Sequence, residues 1–159
     1  MRIKNSVLLL LVTVLLFSCD KKRVFDQYKS VGSAWNKDSI VTFDLPVLDS
    51  TKRYDLFVNL RDNYNYKYNN IFLIVSLESP NGYTKVDTLE YQMANPDGTL
   101  LGDGFTDLKE SKLYYKENVR FRGNYKVHIK QVVRETGKVP GVPLLDGITE
   151  VGFRIEKKE

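Results

Sequence analysis

Apolar and polar residues alternate along much of the chain after residue 37, with the period of two that is typical of half-buried β-strands. In the stretch 54–61, alternate residues from Tyr54 to Leu60 are apolar and share one face. The segment 71–77 begins with apolar residues at every position, which predicts a central strand covered on both sides. Together these patterns predict strands over residues 39–45, 54–61, 71–77, 83–93, 113–121, 125–133 and 148–155.

Turn signals separate the predicted strands. The segments Ser79-Pro80-Asn81-Gly82 and Asn95-Pro96-Asp97-Gly98 carry Pro, Asn, Asp and Gly at the positions that type I turns favour. Residues 99–112 are rich in glycine and charge and leave room for a short helix. Six to eight short strands without regularly alternating helices predict an all-β fold, a single antiparallel β-sandwich domain over residues 37–159.

The chain begins with a different pattern, in which two basic residues precede a run from Val7 to Phe17 that is apolar except at Thr13. This arrangement is typical of a secretory signal peptide, and the run is shorter than the roughly 20 residues of a membrane-spanning helix. The single cysteine, Cys19, follows directly, and the Leu-Phe-Ser-Cys ending resembles the lipobox of bacterial lipoproteins. We therefore predict a lipoprotein signal peptide over residues 1–18 and a covalent lipid on Cys19. The alternative is an ordinary signal peptide with an incidental cysteine.

Acylation of Cys19 would hold the mature chain on a membrane. Residues 19–36 then form the lipidated cysteine and a tether. The basic triplet Lys21-Lys22-Arg23 lies in that tether, where it either contacts anionic headgroups or only keeps the tether soluble. Loss of the signal peptide removes two basic residues and lowers the net charge from +4 to +2, and we expect no nucleic-acid partner. With the one thiol acylated, no disulfide is expected.

The sequence offers few residues for catalysis. His128 is the only histidine, and the strand pattern places it on a polar face with Lys126 and Lys130. No nucleophile, zinc-ligand spacing or phosphate-binding glycine loop accompanies it. We therefore predict a protein that is not an enzyme and that binds no metal or cofactor apart from its covalent lipid.

Two polar loops are candidate binding sites. Three carboxylates in the glycine-rich loop 97–107 suit calcium, but their spacing departs from the EF-hand pattern, and Asp-Gly pairs are also ordinary turn residues. The sequence favours turns and leaves the calcium site open. The loop 62–70 presents alternating aromatic rings that suit a partner protein or a sugar, unless they fold back onto the sheet. Its candidate partner-binding residues are Tyr64, Tyr66 and Tyr68.

Several segments, in their order and spacing, resemble a known family. The most distinctive is the C-terminal stretch Asp146-Gly-Ile-Thr-Glu-Val-Gly-Phe-Arg-Ile-Glu156. With the lipobox in front, the chain resembles the gliding motility lipoprotein family GldH of Bacteroidetes over nearly its whole mature length. The other matching segments are Tyr54–Arg61, Asn70–Val75, Asp87–Tyr91 and Leu101–Gly104.

This resemblance implies a part in the cell-envelope apparatus for gliding, which is coupled to type IX secretion. The expected partners are other gliding or secretion proteins of the envelope, and the expected location is the outer membrane, facing the periplasm. No catalytic residue transfers from the family, and Cys19 transfers as the lipid attachment site. The alternative function is a carbohydrate-binding β-sandwich lipoprotein of the cell surface, with a glycan as its partner.

Overall fold

A computed structural model describes residues 20–159, so Cys19 and the predicted signal peptide lie outside the described residues. Between residues 20 and 159 the regular structure consists of strands, without a helix. The ten strands are β1 (Arg23–Ser30), β2 (Ala34–Asn36), β3 (Val41–Asp44), β4 (Tyr54–Asp62), β5 (Asn70–Glu78), β6 (Thr84–Gln92), β7 (Lys109–Val119), β8 (Lys126–Gln131), β9 (Leu144–Asp146) and β10 (Ile148–Lys157).

Two four-stranded sheets form the domain, with strand orders β1-β10-β4-β7 and β3-β8-β5-β6. Every neighbouring pair of strands in them is antiparallel, and the short strands β2 and β9 form a separate two-stranded ribbon. The inner faces of the two sheets pack on each other around one hydrophobic core. The predicted all-β antiparallel sandwich is therefore confirmed.

Strand alternation supplies the core. On β4 the alternate residues from Tyr54 to Leu60 point inward and are buried, as predicted. Aromatic rings join the two sheets, because Phe43 of β3 lies 6.4 Å from Phe153 of β10 and 6.5 Å from Phe25 of β1 between ring centroids. Each fully buried apolar side chain of this kind stabilises the fold by roughly 1.5–3 kcal/mol relative to an exposed one.

The N-terminal segment departs from the expected tether. Residues Arg23–Ser30 form β1, which pairs along its length with β10, and Phe25 is buried. Trp35 of β2 is also fully buried, and its indole N–H donates to the Ser39 carbonyl oxygen at 3.1 Å. β1 could not be recognised from the sequence, because Phe25 is its only buried residue and the strand therefore shows little hydrophobic periodicity. Only residues 20–22 therefore separate Cys19 from the first strand.

Two further expectations were wrong. β5 was expected to be covered on both sides, but its outward residues Phe72 and Ile74 are only half-buried, since no element of the described chain packs on that face. The segment 99–112 contains no helix, and β7 already begins at Lys109. Glycines at 102 and 104 have positive φ angles, which favour an irregular loop over a helix.

The two ends of the sandwich differ in their loops. The strand register places the start of β1 beside the end of β10, where Lys157 pairs with Tyr54 of β4. We call this the basal end, and it carries the chain entry at residues 20–22 and the loops 45–53, 79–83 and 120–125. The opposite, distal end carries the β2–β9 ribbon and the loops 63–69, 93–108 and 132–143.

A buried carboxyl group lies at the distal end of β4. Asp62 is fully buried, and neither of its carboxylate oxygens has a hydrogen-bond partner among residues 20–159. Burial raises the pKa of Asp62 to about 7, because an ionised carboxylate is costly away from water, and the charge of Lys109 only partly opposes this. The folded chain therefore holds a proton on Asp62 at pH values where the unfolded chain has lost it.

Replacing this carboxyl group should change the pH dependence of stability. Between the ordinary pKa of 3.8 and about 7 the folded state binds more protons, so Asp62 lowers stability as the pH rises through that window. We expect the free energy of unfolding of the wild type to fall by about 2–3 kcal/mol from pH 5 to pH 8 because of Asp62, and we expect Asp62→Asn to remove that loss. Urea unfolding of both proteins at pH 5 and at pH 8 measures the loss. Asp107→Asn, at an exposed position, should keep the wild-type dependence, and equal behaviour of the two variants would contradict this account.

Candidate partner-binding surface

The outer face of the β3-β8-β5-β6 sheet exposes a band of apolar side chains. Phe72 and Ile74 point outward from β5, and Val132 lies beside Phe72, because its N–H donates to the Phe72 carbonyl oxygen at 2.9 Å. Val86 extends the band on β6 and Ile40 extends it near β3, and each has 58% of its surface exposed. We call these five residues the apolar strip: Ile40, Phe72, Ile74, Val86 and Val132.

Ile74 lies at the centre of the strip, between two shallow depressions. One, of about 460 Å³, is lined by Phe72, Val132 and Arg134 among others. The second, of about 300 Å³, is lined by Ile40, Val86 and the aliphatic part of Lys130 among others. Contiguous exposed apolar patches with a polar border are typical of protein–protein interaction sites. The strip therefore has the character of a binding surface.

The border of the strip is cationic on the β8 side. Lys130 and Arg134 have no carboxylate within 4.0 Å in the described part of the chain. His128 faces outward beside Lys130, as the sequence predicted. A partner that covers the strip would thus match it best with an apolar patch bordered by carboxylates.

His128 connects two side chains in a hydrogen-bonded row across the sheet. Its Nδ1 lies 2.8 Å from the Thr42 hydroxyl and its Nε2 lies 3.1 Å from a Glu78 carboxylate oxygen. Acyl transfer by a hydroxyl–imidazole–carboxylate row also needs free donors aimed at the developing oxyanion. The three side chains lie on β3, β8 and β5, so the row links these strands across the outer face, and no oxyanion-binding donors are assigned to it.

The outer face of the other sheet is closed by its own side chains. Arg61 lies over the Tyr28 ring at 4.1 Å and binds Glu110 at 2.9 Å and Glu150 at 2.6 Å. The hydrogen bonds from Arg61 to these two carboxylates raise its pKa. Gly152 lies beneath the Tyr28 ring, where a Cβ atom would clash with it. This face offers few unsatisfied groups, which makes the apolar strip the better candidate surface.

The three predicted tyrosines differ in their exposure. Tyr66 is buried, and its hydroxyl donates to the Asn70 carbonyl oxygen at 2.7 Å. Its ring packs edge-on against the half-buried Tyr68, with centroids 5.8 Å apart. Gly147, with φ near +88°, allows the backbone to pass directly against Tyr66. Tyr64 alone of the three is largely exposed, at 67%.

The acidic loop 97–107 uses its first carboxylate in a turn. Asp97 Oδ1 accepts hydrogen bonds from the Thr99 N–H at 3.0 Å and from the Thr99 hydroxyl at 2.6 Å. These two bonds lower the pKa of Asp97. Across residues 20–159 the structure contains no group of three or more His, Cys, Asp or Glu side chains arranged to hold a metal ion.

Comparison with known proteins decides the family. The model of the GldH lipoprotein family matches residues 23–155, which include β1 to β9 and all but the last two residues of β10. The chain belongs to the GldH lipoprotein family. Members of a lipoprotein family carry a lipid anchor on a cysteine, so this GldH-family protein is membrane-anchored. Within residues 20–159 it contains no helix long and apolar enough to cross a membrane.

Two relatives in the family are similar over their whole length. The chain is 78% identical to the gliding motility lipoprotein GldH of Flavobacterium johnsoniae, with all of both chains aligned. It is 54% identical to a gliding motility lipoprotein GldH homolog of Christiangramia forsetii, over all of this chain and 99% of that one.

Among solved structures the similarity is weaker. A 4-O-methyl-α-glucuronidase with specificity for decorated arabinogalactans aligns with 89% of this chain and 18% of its own, at 12% identity and a TM-score of 0.47. The infectious bursal disease virus VP2 subviral particle aligns with 87% of this chain and 34% of its own, at 12% identity and a TM-score of 0.36.

Sequence reasoning missed the apolar strip. Its signal was present, because residues 71–75 are apolar at every position, including those that point away from the core. We interpreted that run as a doubly covered strand. The chain, however, has no helix pattern that could supply a layer over the outer face, and this combination is the clue to an exposed strip.

Substitution of adjacent β5 residues should separate surface from core. Ile74→Ser removes a half-buried outward residue, and we expect it to change the free energy of unfolding by about 1 kcal/mol or less. Leu73→Ala removes a fully buried neighbour and should cost about 2–5 kcal/mol, through lost burial and a cavity. Urea denaturation measures both. A large loss for Ile74→Ser would show that the strip is part of the folded core.

Proposed function

We propose that this protein takes part in gliding motility by binding another protein of the gliding or type IX secretion apparatus, and that it performs no catalysis itself. The observation that carries the proposal is the apolar strip, whose exposure costs solubility in a free protein but suits one that is covered by a partner. The relatives with which the chain aligns are gliding motility lipoproteins, and this supports the same process.

The anchor in this proposal is a lipid on Cys19, on the outer membrane and facing the periplasm. An anchor confines the protein to two dimensions, which raises its effective concentration for partners on the same membrane. The affinity of the strip for its partner then need not be high. The expected partner surface is apolar in the middle, to cover Phe72 and Ile74, and acidic at the edge that meets Lys130 and Arg134.

Tyr64 is a second proposed contact at the distal end. Tyr66 is buried and Tyr68 is half-buried, so Tyr64 is the most exposed of the three rings. Tyrosine is enriched at protein interfaces because it combines a large ring with a polar tip. We expect Tyr64→Ser to weaken partner capture less than changes in the strip do.

The strip can be tested in the native organism. We expect the double substitution Phe72→Ser with Ile74→Ser to abolish or strongly reduce colony spreading while the protein remains membrane-bound at its normal level. The matched control is Phe57→Ser, which removes an aromatic side chain from the opposite outer face, where Phe57 packs on Tyr114 at 6.1 Å. Spreading, together with immunoblots of membrane fractions, is the measurement. Normal spreading in the double variant would reject the strip as the functional surface.

The anchor needs its own test. We expect Cys19→Ala to abolish incorporation of a labelled fatty acid and to move the protein out of the membrane fraction, because the chain loses its acylation site. Metabolic labelling followed by fractionation measures both effects. Continued labelling of the variant would place the lipid elsewhere.

A further inference from the structure

The basal end of the sandwich gathers cations that the fold leaves unneutralised. Within residues 20–159, seven basic side chains at this end have no carboxylate within 4.0 Å. They come from five separate parts of the sequence, so no single basic cluster reveals them. They are Lys21, Lys52, Arg53, Lys85, Arg120, Arg122 and Lys157.

The carboxylates near this end are already engaged. Asp20 pairs with Arg154, and Asp49 accepts hydrogen bonds from the backbone N–H and the hydroxyl of Thr51. Three more form ion pairs that span different segments: Asp44 with Lys126, Glu117 with Lys158, and Glu159 with Lys22. Asp49, bonded only by Thr51, keeps its charge, but basic side chains outnumber acidic ones in the chain entry, the basal loops and residues 157–159, so the balance of charge there is positive.

Three of the free cations share one groove. Lys85, Arg120 and Arg122 line a depression of about 470 Å³ between the loops 79–83 and 120–125. Tyr83 lies at the same groove and is 67% exposed. Arginine binds phosphate oxygens through its planar fork, and exposed tyrosine is favoured at the level of lipid headgroups. The groove thus combines the chemistry that recognises an anionic phospholipid surface.

The distal loops have the opposite balance. Acidic residues outnumber basic ones in the segments 31–40, 63–69, 93–108, 132–143 and 144–147 taken together. An anionic surface would therefore attract one end of the sandwich and repel the other. The chain enters at the attracted end, where residue 20 is already bound to β10 through Arg154.

We propose that the basal end docks on anionic phospholipid headgroups and sets the orientation of the sandwich on its membrane. The proposal rests on the proposed lipid at Cys19, which brings the basal end to the bilayer within three residues. Each cation near an anionic leaflet favours the docked state by roughly fivefold. The three groove cations together then contribute about a hundredfold, which is enough to fix an orientation that the acyl chains alone leave free.

Two matched fluorescent reporters test the orientation in the full mature lipoprotein, reconstituted on vesicles whose acyl chains are brominated near the headgroup. Tyr83→Trp reports the basal end and Tyr64→Trp the distal end, each as the difference from the parent protein, which carries the buried Trp35. The two tyrosines are equally exposed. On vesicles with 30% phosphatidylglycerol we expect strong quenching of the basal reporter and little of the distal one. On pure phosphatidylcholine the difference should shrink, as it should in 0.5 M salt. Equal quenching of the two reporters on anionic vesicles would overturn the proposal.

Charge reversal identifies the groups responsible. Adding Lys85→Glu, Arg120→Glu and Arg122→Glu to the basal reporter should abolish most of its quenching. The control adds Lys37→Glu, Lys67→Glu and Lys138→Glu at the distal end, which changes the net charge equally and should leave the quenching intact. Loss of quenching in both sets, or in neither, would overturn headgroup recognition by the groove.

Flotation separates this proposal from the anchor on which it rests. The lipidated protein should float with neutral and with anionic vesicles alike. A protein that does not float with neutral vesicles overturns the lipid on Cys19. In that case, flotation with anionic vesicles tests headgroup docking by itself. A protein that does not float with anionic vesicles either overturns docking as well.

Discussion

The antiparallel pairing of β1 with β10 is the constraint on which the rest of the structure depends. It starts the fold at Arg23, opposite Glu156, so that the chain has no long tether between the lipobox cysteine and the first strand. The ion pair of Asp20 with Arg154 also holds the chain against β10 three residues before β1 begins. Because the strands run the length of the sandwich, this pairing also places the chain entry beside the loops of the basal end.

The orientation gives the two outer faces different roles. In the proposed orientation the basal end contacts the bilayer and the strands extend away from it. The apolar strip around Ile74 then faces along the membrane plane, toward other proteins on the same membrane. The opposite face is filled by the network of Arg61 with its two glutamates and by Arg154 with Asp26. Such charged, mutually satisfied faces resist unwanted association. One face is thus closed and one is open to a partner.

The sequence predicted the strands whose inward residues are regularly apolar, such as β4, and with them the sandwich. It failed at β1, where Phe25 is the single buried residue, and at β5, where no element of residues 20–159 covers Phe72. Tyr66 was chosen as a contact for its residue type, and only the structure places its hydroxyl on the Asn70 carbonyl. The basal groove could not be predicted, because Lys85 on β6 and Arg120 after β7 come together only where the two sheets pack on each other. Local patterns carry strand periodicity but not the pairing of distant segments.

Site-specific photo-crosslinking in living cells tests the central claim most directly. A photoreactive residue at Val86 would sit in the apolar strip, and the same residue at Tyr114 would sit on the opposite face, where the native side chain is half exposed. The account predicts a discrete adduct from Val86 to an envelope protein of the gliding or secretion apparatus, identified by mass spectrometry, and none from Tyr114. An adduct from Tyr114 alone, or the same products from both positions, would contradict the assignment of the strip as the partner-binding surface.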